Sequence, residues 1–197
     1  MLSALPGPDG RPRCEWCLSA DDYIAYHDDE WGFPVSDDRR LFEKLSLEGF
    51  QSGLSWLTIL RKRDAFREAF HRFDHVKVAA MGPRDVERLL DNPAIVRHRG
   101  KIEAVINNAA LIGDLIDSHG SLASFVWSFE PSSPELLAST SPESTSMAKD
   151  LKKRGFRFVG PTTAHAFMQS MGLLNDHLPT CVTHSEVERA RRDFRRP

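Results

Sequence analysis

Cysteine is scarce in this chain, three in 197 residues, too few for disulfides to form its framework. That scarcity fits a reducing compartment, and the expected location is the cytoplasm. Net charge is nearly absent: 26 Lys and Arg against 28 Asp and Glu leave −2. Overall charge therefore makes no case for a polyanionic partner, and local clusters have to carry it. No apolar run approaches the roughly 20 residues of a membrane helix. The opening MLSALPGPDGRPR lacks the charged start and apolar stretch of a secretory leader. Strand-like alternation and internal repeats are also lacking. What remains is an ordinary globular composition, 41% hydrophobic and 27% charged, long enough for one domain with a sizeable core.

The periodicity is almost wholly helical. Asp37 and Asp38 can cap a helix running to about Glu48, with Leu41, Leu45 and Leu47 on or near its apolar face. Gly49 and Gly53 mark a turn, and Ser55 starts SWLTILRKRDAFREAF. Pro83 suits the first position of a further helix. Arg99 to Ile116 is the longest amphipathic candidate, and SLASFVWSF reads as a short buried helix. Glu130 to Ser146, rich in Ser, Thr and Pro, reads as a long loop. Helix resumes at about Met147 to Lys153, Thr162 to Met171 and after Thr183. This predicts residues 1–12 as a loose extension, 13–184 as one all-α domain with room for two lobes, and 185–197 as a basic tail.

Two compact basic clusters stand out, Arg97 to Lys101 and Lys152 to Arg157. Either alone fits a solvated helix end; together they suggest a shared anionic surface such as a phosphate backbone. A second constellation consists of thiols and imidazoles. Cys14, Cys17 and His27 lie near one end, His177, Cys181 and His184 near the other. Zinc takes four such ligands in a closed site, and spacing alone leaves six candidates for four places. The third is aromatic: Trp16, Tyr23, Tyr26, Trp31 and Trp56 crowd the first third of the chain around Glu48. Such a group suits a planar, cationic ligand with an amino donor, attracted to ring faces and accepted by the carboxylate. Last, FVGPTTA offers a glycine at a tight turn leading into a helix N-terminus, which can bind a phosphate through backbone N–H groups.

In order along the chain, CEWC, DDYIAYHDDEWG, LFEKLSLEGFQSGLSW, AIVRHRGKIEAVINNA, FVWSF, TSMAKDLKKRGFRFVG and LLNDH resemble the DNA-3-methyladenine glycosylase I family of the helix–hairpin–helix superfamily. The resemblance covers about Arg13 to Cys181. It implies an all-α helix–hairpin–helix glycosylase fold in which one structural zinc ion, held by Cys14, His27, His177 and Cys181, joins the N- and C-terminal segments. That choice leaves out Cys17 and His184. The resemblance also implies a base pocket of Trp16, Tyr23, Tyr26, Glu48 and Trp56. By the same resemblance, the loop Gln51–Ser52–Gly53–Leu54 is expected to enter the DNA stack, with Leu54 as wedge, and the hairpin Val159–Gly160–Pro161–Thr162 to hold DNA. Most of the superfamily carries a catalytic aspartate beyond the hairpin glycine, at a distance that falls near Thr180 here. The sequence has no carboxylate there, and the named family lacks it too; Asp176 is nearest, beside a proposed zinc ligand.

The implied activity is base excision repair. The base is flipped out of double-stranded DNA, its N-glycosidic bond is hydrolysed, and an abasic site is left, without lyase activity. Alkylation at N3 makes adenine a good leaving group, so strong acid catalysis is unnecessary and the enzyme can work mainly by recognition, strain and electrostatic fit; Glu48 recognises the base and is not assigned as a general base. The protein is read as a monomer acting on DNA that contains alkylated adenine, with no membrane partner. Two rival readings are a metal-dependent phosphohydrolase built on His27–Asp28, which the cysteines fit poorly, and a zinc-stapled DNA-binding module that releases no base.

Overall fold

The computed structural model describes residues 3–197. It begins with a hairpin in which β1 (Leu5–Pro6) pairs antiparallel with β2 (Pro12–Arg13). Two-residue strands are too short to show alternation, which is why the sequence hides them. Of residues 1–12, expected to be loose, 1–2 lie outside the described residues and 3–12 are docked. The Ala4 N–H donates to Thr180 Oγ1 at 2.9 Å, and the Pro12 carbonyl accepts from Val182 at 2.8 Å. Arg13 is the peg: buried at 3% exposure, it pairs with Asp9 at 2.6 Å and Asp28 at 2.7 Å.

A 3-10 turn at Glu15–Ser19 leads into α1 (Asp21–Asp29). The central helix α2 (Asp38–Gln51) starts where Asp37 accepts the Arg40 N–H at 2.8 Å, a cap worth about 1 kcal/mol. Nearly every residue from Leu41 to Phe50 is buried. The helix expected from Ser55 breaks at Lys62 into α3 (Trp56–Arg61) and α4 (Arg63–Ala69). Then come α5 (His75–Ala79), α6 (Pro83–Leu90) with Pro in its first turn, and the long α7 (Arg99–His119). Asp38 also caps α8 (Leu122–Trp127), accepting the Leu122 and Ala123 N–H groups at 3.1 and 2.8 Å. The Ser/Pro loop is shorter than expected, because Ser141 and Ser144 form a reciprocal cap that starts α9 (Pro142–Lys153) early.

The chain closes with α10 (Pro161–Ser170) and α11 (His184–Asp193). The segment read as a basic tail is thus largely helical and tied down. Val187 is fully buried, Phe194 packs on Trp127 with ring centroids 4.6 Å apart, and Arg191 donates to the Gly172 carbonyl. One contiguous core runs from Val35 to Leu174. A small second cluster of Cys14, Leu178 and Cys181, with Ala4 and Trp16 against it, joins the two ends of the chain. Among the described residues, no helix is long and apolar enough to cross a membrane.

Candidate functional site

The aromatic residues surround a cavity of about 290 Å³ between α2 and α10. Trp16, Tyr26, Trp31, Glu48, Gln51 and Trp56 line it from one side, and Leu137, Ala166, Gln169 and Asp176 from the other. Trp16 meets Tyr26 and Trp31 edge-on at 6.4 and 5.1 Å, and Tyr26 tilts against Trp56 at 5.5 Å. Tyr23 does not line the cavity. Its hydroxyl accepts the Leu57 N–H at 2.7 Å and so satisfies an open donor at the start of α3. Asp176, noted in the sequence only for its neighbour, is on the cavity wall. It accepts from the Leu137 N–H at 2.7 Å and Gln169 Nε2 at 2.6 Å, which ties the Ser/Pro loop to the rim.

Glu48 is 5% exposed and is not alone. Lys44, one turn earlier on α2, also lines the cavity; its Nζ is 2.8 Å from Glu48 Oε1, 2.9 Å from the Tyr26 hydroxyl and 3.2 Å from the Trp56 ring centroid. Burial pushes the Lys44 pKa down while Glu48 opposes the shift. Burial, then the Glu48 charge, raises Tyr26 well above its usual value. The sequence reading missed Lys44. Its one available signal is the four-residue spacing from Glu48, which puts the two on the same helical face.

A second cavity, of about 300 Å³, adjoins the first and shares Glu48, Gln51 and Ala166 with it; Ser52, Gly53, Leu54, Thr162 and Thr163 complete its lining. Leu54 is 42% exposed at the tip of the turn. Gly53 makes that tip possible with φ +79°, a conformation that strains residues bearing a Cβ. Lys101 holds the turn from below, donating to the Phe50 and Ser52 carbonyls at 2.9 and 2.5 Å. Of the first basic cluster, Lys101 is buried and Arg99 pairs with Glu87 at 2.8 Å, while Arg97 and His98 stay exposed.

Across the groove, Gly160 is the N-cap of α10 and Pro161 its first residue. The tight-turn role expected of Gly160 falls elsewhere. Its φ is −78°, which any residue adopts, and Phe158 carries the positive φ of 57°. A Cβ at Gly160 would meet nothing within 4 Å, so the glycine leaves open space there. With no side-chain cap, the Thr162 and Thr163 N–H groups have no acceptor within the helix. Val159 is buried, and Asn108 clamps Arg157 in front of it through its side-chain amide at 2.9 and 3.0 Å.

The thiols and imidazoles also converge. Donor atoms of Cys14, His27 and Cys181, all buried, lie within 4.8 Å of one another. Cys181 Sγ is 3.5 Å from His27 Nε2, close to the roughly 3.3–3.8 Å between ligands of a tetrahedral zinc ion. His177 is outside that trio but abuts it, with its ring 4.6 Å from that of His27. Asn175 Oδ1 lies 2.9 Å from His177 Nδ1, and His177 Nε2 lies 3.4 Å from the His27 carbonyl oxygen. Gly32, at φ +85°, allows that approach, since a Cβ there would meet the His177 ring at 2.9 Å. The thiol of Cys14 holds the Cys181 pKa down by hydrogen bonding, while Cys14 itself is pushed up by Cys181 and by burial. Burial holds His177 at about 4; burial also lowers His27, but hydrogen bonds to Cys17, Cys181 and Asp28 outweigh it and raise His27 to about 10. Two thiols and two imidazoles are the soft N/S donor set that zinc takes, and Cys14 and His27 would have to lose their protons on binding it. Cys17 is fully buried beneath, its thiol donating to the Cys14 carbonyl at 3.1 Å. Asp28 is bound to Arg13 and His27, so His27–Asp28 forms no open oxygen-rich site.

The family model described as methyladenine glycosylase matches residues 16–184. The chain is 49% identical to DNA-3-methyladenine glycosylase 1 of Escherichia coli, over 86% of this chain and 95% of that protein. It is 44% identical to the DNA-3-methyladenine glycosylase of Haemophilus influenzae, over 86% and 96%. Its fold superposes on 3-methyladenine DNA glycosylase I of Staphylococcus aureus with a TM-score of 0.82 at 38% identity, covering 87% of this chain and 96% of that one.

Proposed function

The chain belongs to the methyladenine glycosylase family, and on that footing we propose that it excises 3-methyladenine from double-stranded DNA as the first step of base excision repair. The observation that carries the reading is a buried carboxylate, Glu48, in an aromatic cavity that opens towards an exposed apolar turn and a bare helix N-terminus. A base can reach Glu48 only after leaving the duplex, so the reaction begins with base flipping. Leu54 fills the gap left in the stack, and the Thr162 and Thr163 N–H groups hold a backbone phosphate.

In the cavity the exocyclic amino group donates to Glu48, and Tyr26, Trp16 and Trp56 enclose the ring. N3 alkylation leaves the base cationic. When the C1′–N9 bond breaks, its electron pair stays with the base, which departs neutral; C1′ becomes oxocarbenium-like and takes water, releasing a proton and leaving an abasic site. The enzyme works by fit to that charge distribution. Lyase chemistry needs a free amine at C1′; the cavity amine, Lys44, is instead engaged by Glu48 and Tyr26, which supports a monofunctional enzyme. Cys14, His27, Cys181 and His177 would hold a structural zinc ion that pins the chain ends and takes no part in hydrolysis. Incubating the protein with methylated duplex DNA and chromatographing the released bases tests the proposal. Stoichiometric 3-methyladenine is expected, and binding without release would leave a lesion-binding module instead.

A further inference from the structure

Residues 185–197 lie beyond 16–184, the stretch that the family model matches, and none of them lines either cavity. They nevertheless grip both elements that form the outer wall of the first one. That wall is Leu137 on the Ser/Pro loop and Ala166 and Gln169 on α10, with Asp176 beside them.

The loop needs such a grip. Leu137 has φ +59° and is 45% exposed. Backbone strain of this kind in a residue with a Cβ persists only where the surroundings hold the chain in place. On its far side, the Leu137 N–H donates to Asp176 at 2.7 Å. On its near side, Ser132 to Leu137 are all exposed, so no core contact guides the approach. The fixed point there is Glu130, just after α8. Its carboxylate accepts two hydrogen bonds from Arg196, at 2.7 and 2.9 Å, and one from Arg191 at 3.1 Å. Pro131, which is buried, and Pro134 each fix φ, so the direction set at Glu130 carries along the loop.

Arg191 also donates to the Gly172 carbonyl, just past the end of α10. One side chain thus joins the root of the loop to the helix opposite. Arg196 returns its Nη1 to the Arg191 and Phe194 carbonyls at 2.6 and 3.1 Å, and Phe194 packs on Trp127, which fastens the segment to α8. A two-pronged, charge-assisted contact fixes distance and plane together, as a positioning contact must.

We propose that residues 185–197 are a clamp on the outer wall of the cavity, with Arg191 and Arg196 as positioning residues that act through Glu130 on the Ser/Pro loop. The proposal rests on the glycosylase reading of that cavity. A wall displaced by about 1 Å loses orientation at the reacting bond, and with it rate.

Arg196→Ala tests the clamp with little risk to folding, because that side chain is 40% exposed. Hydrogen–deuterium exchange, read by mass spectrometry, follows the loop; single-turnover excision from methylated duplex DNA follows the rate. Exchange of the Leu137 amide should rise by about tenfold, with the amides of α2 and α7 unchanged. Excision should slow by about three- to tenfold. Affinity for undamaged duplex should hold, since the clamp meets α10 at the end away from Thr162. Glu130→Gln should reproduce both effects and add little when combined with Arg196→Ala. A chain ending at Phe194 should match the alanine variant, and Arg196→Lys should recover part of the rate. A segment that only adds stability would lower the urea midpoint and leave loop exchange and rate where they were, and that result overturns the proposal. A loosened loop with an unchanged rate overturns it as well. Wild-type protein that releases no base sinks the glycosylase reading and this role with it; release by the wild type, with loop or rate unmoved in the variant, sinks the clamp alone.

Discussion

Lys101 Nζ donates to the Ser52 carbonyl at 2.5 Å, so a residue at the start of α7 sets the shape of a turn at the end of α2. The Phe50 carbonyl, at 2.9 Å from the same nitrogen, closes the cap. Lys101→Met removes the donor and keeps most of the volume. It should cost about 1–3 kcal/mol, the penalty of leaving buried acceptors unpaired, as read from urea unfolding. The same variant should weaken binding to DNA containing an abasic site, because Leu54 is then presented by a looser turn. Unchanged stability would show that water replaces the lysine without loss.

Leu54→Ala should behave in the opposite way. The side chain is 42% exposed, so unfolding should change by less than about 0.5 kcal/mol, while affinity for abasic-site DNA falls. A stability loss of about 2–5 kcal/mol, typical of a buried leucine, would make it a core residue and end the wedge assignment.

Glu48→Ala should slow single-turnover excision by about ten- to a hundredfold, the loss expected for hydrogen bonds to a charged acceptor. It should also destabilise the protein by about 3–5 kcal/mol, because Lys44 is left buried without its partner. Combining it with Lys44→Met should restore much of the stability but not the rate. If the single variant excises as fast as wild type, Glu48 does not touch the base.

Zinc content can be measured by elemental analysis of the purified protein, with about one ion per chain expected. Cys14→Ala and Cys181→Ala should lose the ion and several kcal/mol of stability, since the site bridges the two ends of the chain. Cys17→Ala should keep the ion. A folded protein without stoichiometric zinc would refute the assignment.

The Glu30–Arg63 pair gives a pH signature. Burial alone would raise the Glu30 pKa, but the Arg63 guanidinium at 2.7 Å outweighs it and holds the carboxyl below its ordinary value of 4.5. A depressed carboxyl contributes stability that is present above its unfolded pKa and fades as pH falls through the folded one. Wild type should therefore exceed Glu30→Gln in stability at pH 7, and the gap should shrink below about pH 4.5. A gap independent of pH would mean that the ion pair contributes nothing.

The sequence by itself determined most of the helices, because Asp37, Ser55, Pro83 and the spacing of apolar residues act over one or two turns of chain. It also determined which chemistries were available, since three cysteines, a glutamate amid tryptophans and a bare Gly–Pro helix start are legible as types. Only the tertiary structure decided which of these meet. Tyr23 and Tyr26 share a helix, yet one caps α3 and the other lines the cavity, because their surroundings come from segments far along the chain. Lys101 looked like surface charge until α7 packed under the Gln51–Ser55 turn. Asp176 gained its place on the cavity wall through partners 7 and 39 residues away. The charge of the pocket itself turned on burial: an exposed Lys44 beside Glu48 would be one more helical ion pair, and enclosure by Tyr26 and Trp56 makes it part of the site.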